Sequence, residues 1–453
     1  MKKKATMTRR EFVGAAGAAA AAFTIVPYCV LPASAETPPS SKINIAGIGV
    51  GAQGGGDTDA VSGGNNIVAL CDVDWTIKGV TDRFKKYADA KQFKDFRKMF
   101  DEMEKGIDAV VIGTPDHTHA VLAMAAIKRG KHVYCEKPLA HSVFECRALA
   151  KAAKAKNVVT QLGNQGHSFD SCRMFCEWIW DGAIGDVKTI HAGIGAVNSG
   201  IDRLAAVKSE TPKVPDGLDW DLWLGPSQER PYHPAFHPYQ WRGWVPFGNG
   251  TIGDWTCHTI DPLFWAFDLG SPATVTAEAK DYDVKTQGLA YPKGDAITFE
   301  FAAKGKRGPI TLVWHSGNEK IPRPADLEAD RDMKDCAATV IGTNGTIMYG
   351  PWGAGGVRIV PETKMKAYKR PEAKLPRIKG GHHQDWLQAI RGGTKAGSDF
   401  SYGGPLTEIA MLGVIALKMP GTKLAWDGAA MKFRNSPEAT AFVNPEYRKG
   451  WTL

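Results

Sequence analysis

The stretch INIAGIGVGAQG, residues 43–54, decides the fold of this chain. Residues 43–48 are mostly apolar and predict a buried β-strand, and Gly49, Gly51 and Gly54 follow it in a G-x-G-x-x-G pattern around Gln53. The first glycine of this pattern allows a tight turn, the second lets the backbone approach a pyrophosphate, and the third lets a helix pack closely against the strand. The stretch therefore predicts a dinucleotide-binding turn formed by these residues.

A carboxylate ends the second predicted strand. Residues 67–71 form that strand, and Asp72 follows about twenty residues after the glycine pattern, where an acidic side chain accepts hydrogen bonds from the adenosine ribose. The same negative charge repels a 2′-phosphate. We therefore expect NAD as the cofactor, with NADP less favourable.

Strands and helices continue to alternate up to about residue 163. Alternation at this spacing is typical of parallel strands that are joined by crossover helices. We therefore predict a Rossmann dinucleotide-binding domain over residues 42–163. Its further strands are predicted at 107–112, 132–135 and 158–162, and its helices at 76–91, 119–129 and 143–156.

The pattern changes in the remainder of the chain, where strand-like segments follow one another. They lie at 187–194, 273–279, 296–301, 309–314, 337–342 and 346–349. We predict an α/β chain in which residues 164–453 form a C-terminal α+β domain with a large, mostly antiparallel open sheet. An open sheet face is suited to subunit pairing, so we expect a homo-oligomer, either a dimer or a tetramer.

Residues 1–35 have the pattern of an export signal rather than of a folded segment. Lysines at 2–4 precede the pair Arg9-Arg10, which gives a twin-arginine signature, and an Ala- and Gly-rich run at 14–30 precedes the cleavage pattern Ala33-Ser34-Ala35. We expect a periplasmic or exported protein with no stable membrane insertion after the signal is removed. An uncleaved membrane anchor is the alternative.

Composition excludes several classes of protein. Hydrophobic residues make up 43% of the 453 residues and charged residues 23%, and the net charge of +8 includes no long Lys/Arg run. We therefore expect no nucleic-acid partner. The eight Cys show no C-x-x-C pair, and the His pairs at 117/119 and 382/383 lack a third ligand at recognisable spacing. We predict no metal site and mostly free, buried thiols.

Polar residues follow the third predicted strand at its carboxyl end, which is the edge where α/β sheets bind ligands. Thr114, Pro115, Asp116 and His119 lie there, and we assign them to the cofactor site. Two alternatives stay open, since Asp116 could be only a helix N-cap and the histidine could serve packing or capping.

A lysine follows the fourth predicted strand in the segment CEKP, residues 135–138. A lysine beside a nicotinamide site can serve as a general acid or base, because burial and neighbouring cations lower its pKa. A solvated surface charge is the alternative for a single lysine.

Four motifs in a fixed order carry a resemblance to a known family. They are GVGAQG at 49–54, TPDHTHA at 114–120, GKHVYCEKPL at 130–139 and GTIGDWTCH at 250–258, which fits G-x-x-x-D-x-x-x-H. Together they resemble the Gfo/Idh/MocA family, the relatives of glucose–fructose oxidoreductase and inositol dehydrogenase, here with an export signal of the twin-arginine type. The resemblance implies hydride transfer between NAD(P) and a sugar or polyol carbon.

The resemblance also implies roles for individual residues. Lys137 would be the acid/base lysine, Asp254 and His258 would be its partners at the substrate hydroxyl, and Glu136 would contact the nicotinamide end. The i, i+4 spacing of Asp254 and His258 puts both on one face of a helix. Whether Lys137 or His258 takes the proton first is left open by the sequence.

A Trp-, Pro- and Gly-rich stretch runs over residues 219–253 and has the composition of a carbohydrate cleft. We assign Trp241 and Arg242 to the substrate site, although packing and a cofactor-covering loop are alternative roles for such tryptophans. Asn164 and His167 lie at the predicted domain junction. We assign Asn164 to the cofactor and His167 to the substrate.

The leading functional hypothesis is an exported NAD(P)-dependent oxidoreductase that acts on a hydroxyl-bearing carbon of a sugar, polyol or glycoside. The alternative is an NAD-dependent glycosidase that oxidises its substrate transiently, eliminates the aglycone and reduces the sugar again with the cofactor still bound. A sugar-binding protein without catalytic activity is a third possibility.

Overall fold

The structure of the protein is a computed structural model that describes residues 41–453. The predicted export signal at residues 1–35 lies outside the described residues. The strands are β1 (Asn44–Ile48), β2 (Asn66–Cys71), β3 (Lys91–Phe93), β4 (Ala109–Ile112), β5 (His132–Glu136), β6 (Thr160–Gly163), β7 (Val187–Ile194), β8 (Thr274–Glu278), β9 (Gly294–Phe301), β10 (Ile310–Gly317), β11 (Ala338–Gly342), β12 (Gly345–Tyr349), β13 (Arg358–Val360), β14 (Leu424–Asp427) and β15 (Lys432–Phe433).

The helices connect these strands and cover the two sheets. They are α1 (Gln53–Val61), α2 (Lys78–Lys86), α3 (Phe96–Met103), α4 (Asp116–Lys128), α5 (Val143–Lys156), α6 (Asp170–Trp180), α7 (Leu204–Ser209), α8 (Trp220–Leu224), α9 (Gly250–Thr259), α10 (Asp261–Ala266), α11 (Val284–Gln287), α12 (Glu362–Ala367), α13 (Gly381–Ile390), α14 (Phe400–Leu417) and α15 (Pro437–Ala441).

The first sheet is parallel throughout and has the strand order β3-β2-β1-β4-β5-β6. The order reverses between β1 and β4, so their carboxyl ends frame a crevice of the kind that binds nucleotides in open α/β sheets. This arrangement confirms the prediction of an N-terminal Rossmann sheet.

The second sheet has nine strands in the order β13-β12-β11-β7-β10-β9-β8-β14-β15. Strands β7 and β10 pair in parallel, and the other neighbouring strands are antiparallel. Along β9 buried and half-buried residues alternate, which is the pattern of a sheet with one face on a core. The prediction of a mostly antiparallel sheet in the C-terminal half is confirmed.

Helix α14 joins the cores of the two halves. Among residues 41–453 it is the one helix that is long and apolar enough to cross a membrane, but 83% of its apolar window is buried inside the protein. It packs against α5 of the first half and α9 of the second. Its apolar character on all sides is therefore that of a core helix.

Helix α13 covers a face of the first sheet although it comes late in the chain. Trp386 and Leu387 of α13 are fully buried in one cluster with Ile45, Val111 and Tyr134 of the first sheet. The chain therefore returns from the second sheet to complete the first one.

The Trp-rich stretch forms a small core of its own and borders the first sheet. Trp223, Phe236 and Trp244 pack in that core. The backbone N–H of Asp219 donates to the carbonyl of Val73 at 2.9 Å, which ties the stretch to the segment that follows β2. The stretch therefore lies at the carboxyl edge of the first sheet, beside the predicted cofactor site.

Candidate active site

The glycine loop has the close contacts that its motif requires. Gly49 has a φ of +77°, and a Cβ built on it would lie 2.6 Å from Cγ2 of Thr114. A Cβ on Gly54 would lie 2.2 Å from the carbonyl oxygen of Gly49, so the first turn of α1 packs directly on the strand end. Gly51 lines the large cleft at this edge of the sheet, where its missing side chain leaves the backbone accessible.

Asp72 lines the same cleft at the end of β2. Its Oδ2 accepts a hydrogen bond from the backbone N–H of Val50 at 2.9 Å, and its Oδ1 accepts one from that of Asp74 at 3.1 Å. Burial raises the pKa of Asp72 to about 6. The carboxylate thus positions the glycine loop and lies where the sequence places the ribose contact.

The segment after β4 contributes Thr114, Pro115 and Asp116 to the cleft. Oδ2 of Asp116 accepts hydrogen bonds from the backbone N–H of Asn249 at 3.1 Å and from its side-chain amide at 2.9 Å. Burial raises the pKa of Asp116 to about 7. This carboxyl group is therefore a link between α4 and the start of α9, and it is only partly ionised at neutral pH.

His119 does not line the cleft. Its Nδ1 lies 2.7 Å from the carbonyl oxygen of Pro138 and its Nε2 lies 2.8 Å from that of Thr114. Burial lowers the pKa of His119 to about 4, so the ring is neutral and one nitrogen alone donates. The packing alternative is the role that this geometry favours.

Glu136 and Asp57 form a buried carboxyl pair on the floor of the cofactor region. Gln165 donates to Oε1 of Glu136 at 2.7 Å, while Oδ1 of Asp57 accepts from Gln53 at 3.0 Å and faces Nε2 of His383 at 2.9 Å. Burial raises the pKa of Asp57 to about 7, and burial together with Asp57 raises that of Glu136 well above its usual range. The two adjacent carboxyl groups therefore do not both ionise near neutral pH.

An ion pair joins the two halves of the protein at the cleft. Nζ of Lys137 lies 2.6 Å from Oδ1 of Asp254 and also donates to the backbone carbonyl of Asp254 at 3.0 Å. Nε of Arg242 lies 3.2 Å from the same Oδ1, and the side-chain amide of Asn198 donates to Oδ2 at 3.0 Å. Burial alone would raise the pKa of Asp254, but Lys137 and Arg242 hold it well below its usual range.

His258 lies one turn after Asp254 on α9 and lines the cleft together with Lys137. Its side chain is only 2% exposed, and neither ring nitrogen has a hydrogen-bond partner within residues 41–453. Burial and the neighbouring Lys137 hold the pKa of His258 well below its usual range, so the imidazole is neutral. A buried ring with two unsatisfied nitrogens at a cleft is arranged to accept or donate a hydrogen bond to a ligand.

Two further predicted residues lie away from the cleft lining. Nδ1 of His167 lies 3.0 Å from both carboxylate oxygens of Asp261, and its ring stacks on Trp265 with centroids 4.7 Å apart. The short 3₁₀ turn Gln165–Ser168 aims this histidine into the core, so it does not reach a substrate in the cleft. Asn164 is fully buried, and neither atom of its amide has a partner within the described residues.

The polar atoms of His167, Cys172 and Asp261 lie within 4.8 Å of one another. The carboxylate of Asp261 already binds His167 and the hydroxyl of Tyr402, and three ligands do not complete a tetrahedral site. The cluster is therefore better described as a hydrogen-bonded part of the core. The expectation of no metal stays a prediction.

Trp352 and Asn198 are residues of the site that sequence reasoning missed. Trp352, 46% exposed, lies in the loop between β12 and β13, lines the cleft and packs on His258 with ring centroids 4.3 Å apart. Asn198 follows β7 and holds Asp254, as described above. Neither residue belongs to a motif, and a lone tryptophan in the glycine-rich segment 350–356 is the only signal in the sequence.

Comparison with known proteins assigns two segments of the chain. Residues 42–164 match the model of an oxidoreductase family with an NAD-binding Rossmann fold, GFO_IDH_MocA, and residues 200–302 match its C-terminal alpha/beta domain. The first match confirms the prediction of an NAD-binding domain. Three of the four motifs lie within the first matched segment, and the fourth lies within the second.

Individual relatives and solved structures agree with this assignment. The chain is 34% identical over 219 residues to levoglucosan dehydrogenase of Pseudarthrobacter phenanthrenivorans, a match that covers 48% of this chain and 46% of the relative. It is 40% identical over 91 residues to inositol 2-dehydrogenase 1 of Saccharopolyspora erythraea, which covers 19% of this chain and 26% of the relative. The chain thus spans less than half the length of these curated relatives.

The fold is shared with solved structures of low sequence identity. The WlbA dehydrogenase of Bordetella pertussis in complex with NADH and UDP-GlcNAcA has a TM-score of 0.58 at 15% identity and covers 85% of this chain and 99% of its own. A levoglucosan dehydrogenase in complex with NADH and levoglucosan has a TM-score of 0.54 at 18% identity, with 83% and 98% covered. From its motifs, its two matched domains and its fold, the chain belongs to the Gfo/Idh/MocA oxidoreductase family.

Proposed function

We propose that this protein transfers a hydride between NAD and a hydroxyl-bearing carbon of a sugar, polyol or glycoside. The observation that carries the proposal is the pairing of Lys137 with Asp254 beside a neutral His258 whose ring nitrogens are unsatisfied. Relatives that are named levoglucosan dehydrogenase and inositol 2-dehydrogenase support the same class of substrate.

The residues of the cleft fit the cofactor. Gly49 and Gly51 line the cleft and leave the backbone of the loop accessible to a pyrophosphate, and Asp72 lines the same cleft directly after β2, where a carboxylate can accept hydrogen bonds from a ribose. Glu136, whose pKa burial raises well above its usual range, is available to hydrogen-bond at the nicotinamide end. NAD supplies a hydride acceptor in this cleft when it is bound.

The neutral ring of His258 supports a proton-accepting role for this residue. Because the pKa of His258 is depressed, a ring nitrogen is free to take the proton of the substrate hydroxyl as the carbon gives up its hydrogen with the electron pair. The ammonium of Lys137, held by Asp254, donates a hydrogen bond to the substrate oxygen while its negative charge develops. Of the two proton acceptors that the sequence leaves open, this assignment favours His258.

A substitution at His258 tests this proposal. We expect His258→Gln to lower kcat for NADH formation by about 10²- to 10⁴-fold, the usual loss when a general base is removed, while NAD still binds. The measurement is absorbance of reduced nicotinamide during a screen of sugars, polyols and glycosides, with His191→Gln on β7 as the matched control. A wild-type protein that folds, binds NAD and reduces it with none of these compounds would contradict the proposal.

The comparisons do not favour the alternative of a glycosidase that works by transient oxidation.

We further propose export by the twin-arginine route and assembly as a dimer or tetramer, both of which rest on the sequence. Mass spectrometry of the protein purified under non-denaturing conditions tests the subunit number and the retained nucleotide together. The N-terminal sequence of the exported protein tests cleavage of residues 1–35.

A further inference from the structure

Arg242 is a cation of the active-site cleft whose hydrogen-bond donors are only partly paired within the described residues. It lies in the short 3₁₀ turn Gln240–Gly243 and lines the cleft next to Trp241. Its Nε lies 3.2 Å from Oδ1 of Asp254. Within residues 41–453 the structure offers no hydrogen-bond acceptor to its two terminal nitrogens, and about a third of the side chain is exposed.

An arginine with a purely structural role normally uses its planar fork on a carboxylate in a bidentate manner. Arg242 instead touches Asp254 through Nε alone, and its guanidinium lies over the ring of Trp241 at 4.1 Å from the centroid. This cation–π contact restrains the guanidinium within the cleft and makes no use of its terminal nitrogens as hydrogen-bond donors.

The charges at this end of the cleft do not balance. Lys137 and Arg242 share one carboxylate, that of Asp254, and His258 adds no charge because its ring is neutral. Glu136 and Asp116 are the other acidic groups beside Lys137 in the cleft lining. Burial raises the pKa of both, and Asp116 is only partly ionised at neutral pH. The carboxylate of Asp254 is therefore shared by two cations, and Arg242 keeps its terminal nitrogens for a further acidic group.

From this geometry we propose that the substrate is an acidic carbohydrate, whose carboxylate or phosphate binds the terminal nitrogens of Arg242. The inference rests on the proposed function and narrows its substrate class from carbohydrates in general to acidic ones. Because Lys137 and Arg242 contact the same oxygen of Asp254, an acid group on Arg242 and a hydroxyl on Lys137 lie within the reach of one monosaccharide unit.

Matched substrate pairs test the inference. The probes are the methyl glycosides of glucose, galactose and mannose, the corresponding methyl uronides, and the 6-phosphates of the same glycosides, each with NAD present in excess. NADH is followed through the first turnover and beyond, so that a retained cofactor is also detected. We expect at least about a tenfold higher kcat/KM for the acidic member of any pair that is converted, the size of effect that a charge-assisted hydrogen bond gives. The uronide and phosphate arms identify which acid is recognised.

Variants at Arg242 separate charge recognition from damage to the site. In Arg242→Gln we expect the ratio of kcat/KM for acidic over neutral substrate to fall at least about tenfold, and in Arg242→Lys to fall less. Asn198→Ala is the control, since it removes another hydrogen bond to Asp254 without changing charge and leaves the ratio as in the wild type.

Two results overturn the inference while the proposed function stands: neutral glycosides that react as fast as their acidic partners, or an unchanged ratio in Arg242→Gln. A wild-type protein that oxidises no member of the panel but oxidises neutral sugars or polyols of the wider screen overturns the inference alone. A wild-type protein that oxidises no compound of either set overturns the proposed function and the inference with it.

Discussion

A buried carboxyl group beside the Lys137–Asp254 ion pair makes the stability of this protein depend on pH. Asp116 accepts two hydrogen bonds from Asn249, yet burial raises its pKa from the ordinary 3.8 to about 7. The folded protein therefore keeps a proton that the unfolded chain loses near pH 4. Its contribution to stability is complete below about pH 3.8 and is lost as the pH rises to about 7.

The variant Asp116→Asn removes this titration and keeps an acceptor for Asn249. We expect the free energy of unfolding of the variant minus that of the wild type to be about 2 to 3 kcal/mol larger at pH 8 than at pH 5. One pKa unit corresponds to about 1.4 kcal/mol, and the wild type loses stability over this range as Asp116 gives up its proton. Urea unfolding of the ligand-free protein at both pH values measures the difference. Asp101→Asn at an exposed position is the control. If the stability of both variants relative to the wild type changed equally between pH 5 and pH 8, the explanation would be contradicted.

The placement of individual residues at the cleft was predictable where a motif carried it. Lys137, Asp254 and His258 follow from the family motifs, and the glycine loop follows from the steric needs of its turn. Trp352 did not follow, because its contact with His258 is set by the tertiary position of a loop about a hundred residues away along the chain. His167 has the polar character of a ligand-binding residue, but local backbone direction turns it towards Asp261.

Among the elements, α13 shows how a distant segment completes the nucleotide-binding sheet. Trp386 is fully buried between this helix and the sheet, in contact with Tyr134 at 5.8 Å between ring centroids. The helical periodicity of α13 is visible in the sequence, but periodicity does not reveal which sheet a helix covers. The same limit hides β3, since Lys91-Gln92-Phe93 is too short and too polar to signal a strand and exists because it pairs with β2.

The variant Trp386→Ala tests the contribution of α13. We expect it to lower the free energy of unfolding by about 3 to 5 kcal/mol, the usual cost of removing a large aromatic side chain from a core. Gln388→Ala on the exposed side of the same helix is the matched control and is expected to change stability by less than about 0.5 kcal/mol. Denaturant unfolding measures both. A loss below about 1 kcal/mol in Trp386→Ala would show that α13 is not part of the cooperative core.

At the scale of the whole molecule, the cleft is assembled from segments that are far apart in sequence. The glycine loop and Lys137 come from the first sheet, whereas Trp241, His258 and Trp352 come from the second half. A ligand that fills this cleft contacts both halves, so its binding free energy adds to the stability of the folded chain as a whole. Nucleotide binding is therefore measurable as a shift of global unfolding.

Gly51 and Gly56 lie close together in the chain and allow the link between NAD binding and global stability to be tested in variants that keep the fold. A Cβ at Gly51 has its nearest neighbour 3.2 Å away, at the side chain of Val80, and a Cβ at Gly56 meets nothing within 4 Å. Both alanine variants are therefore expected to fold, but the methyl group of Gly51→Ala enters the space that the pyrophosphate needs. At a NAD concentration of about 100 Kd, wild type and Gly56→Ala should gain about 2.7 kcal/mol of stability, while Gly51→Ala should gain far less. The experiment is thermal unfolding with and without NAD, and an equal gain in both variants would place the pyrophosphate elsewhere.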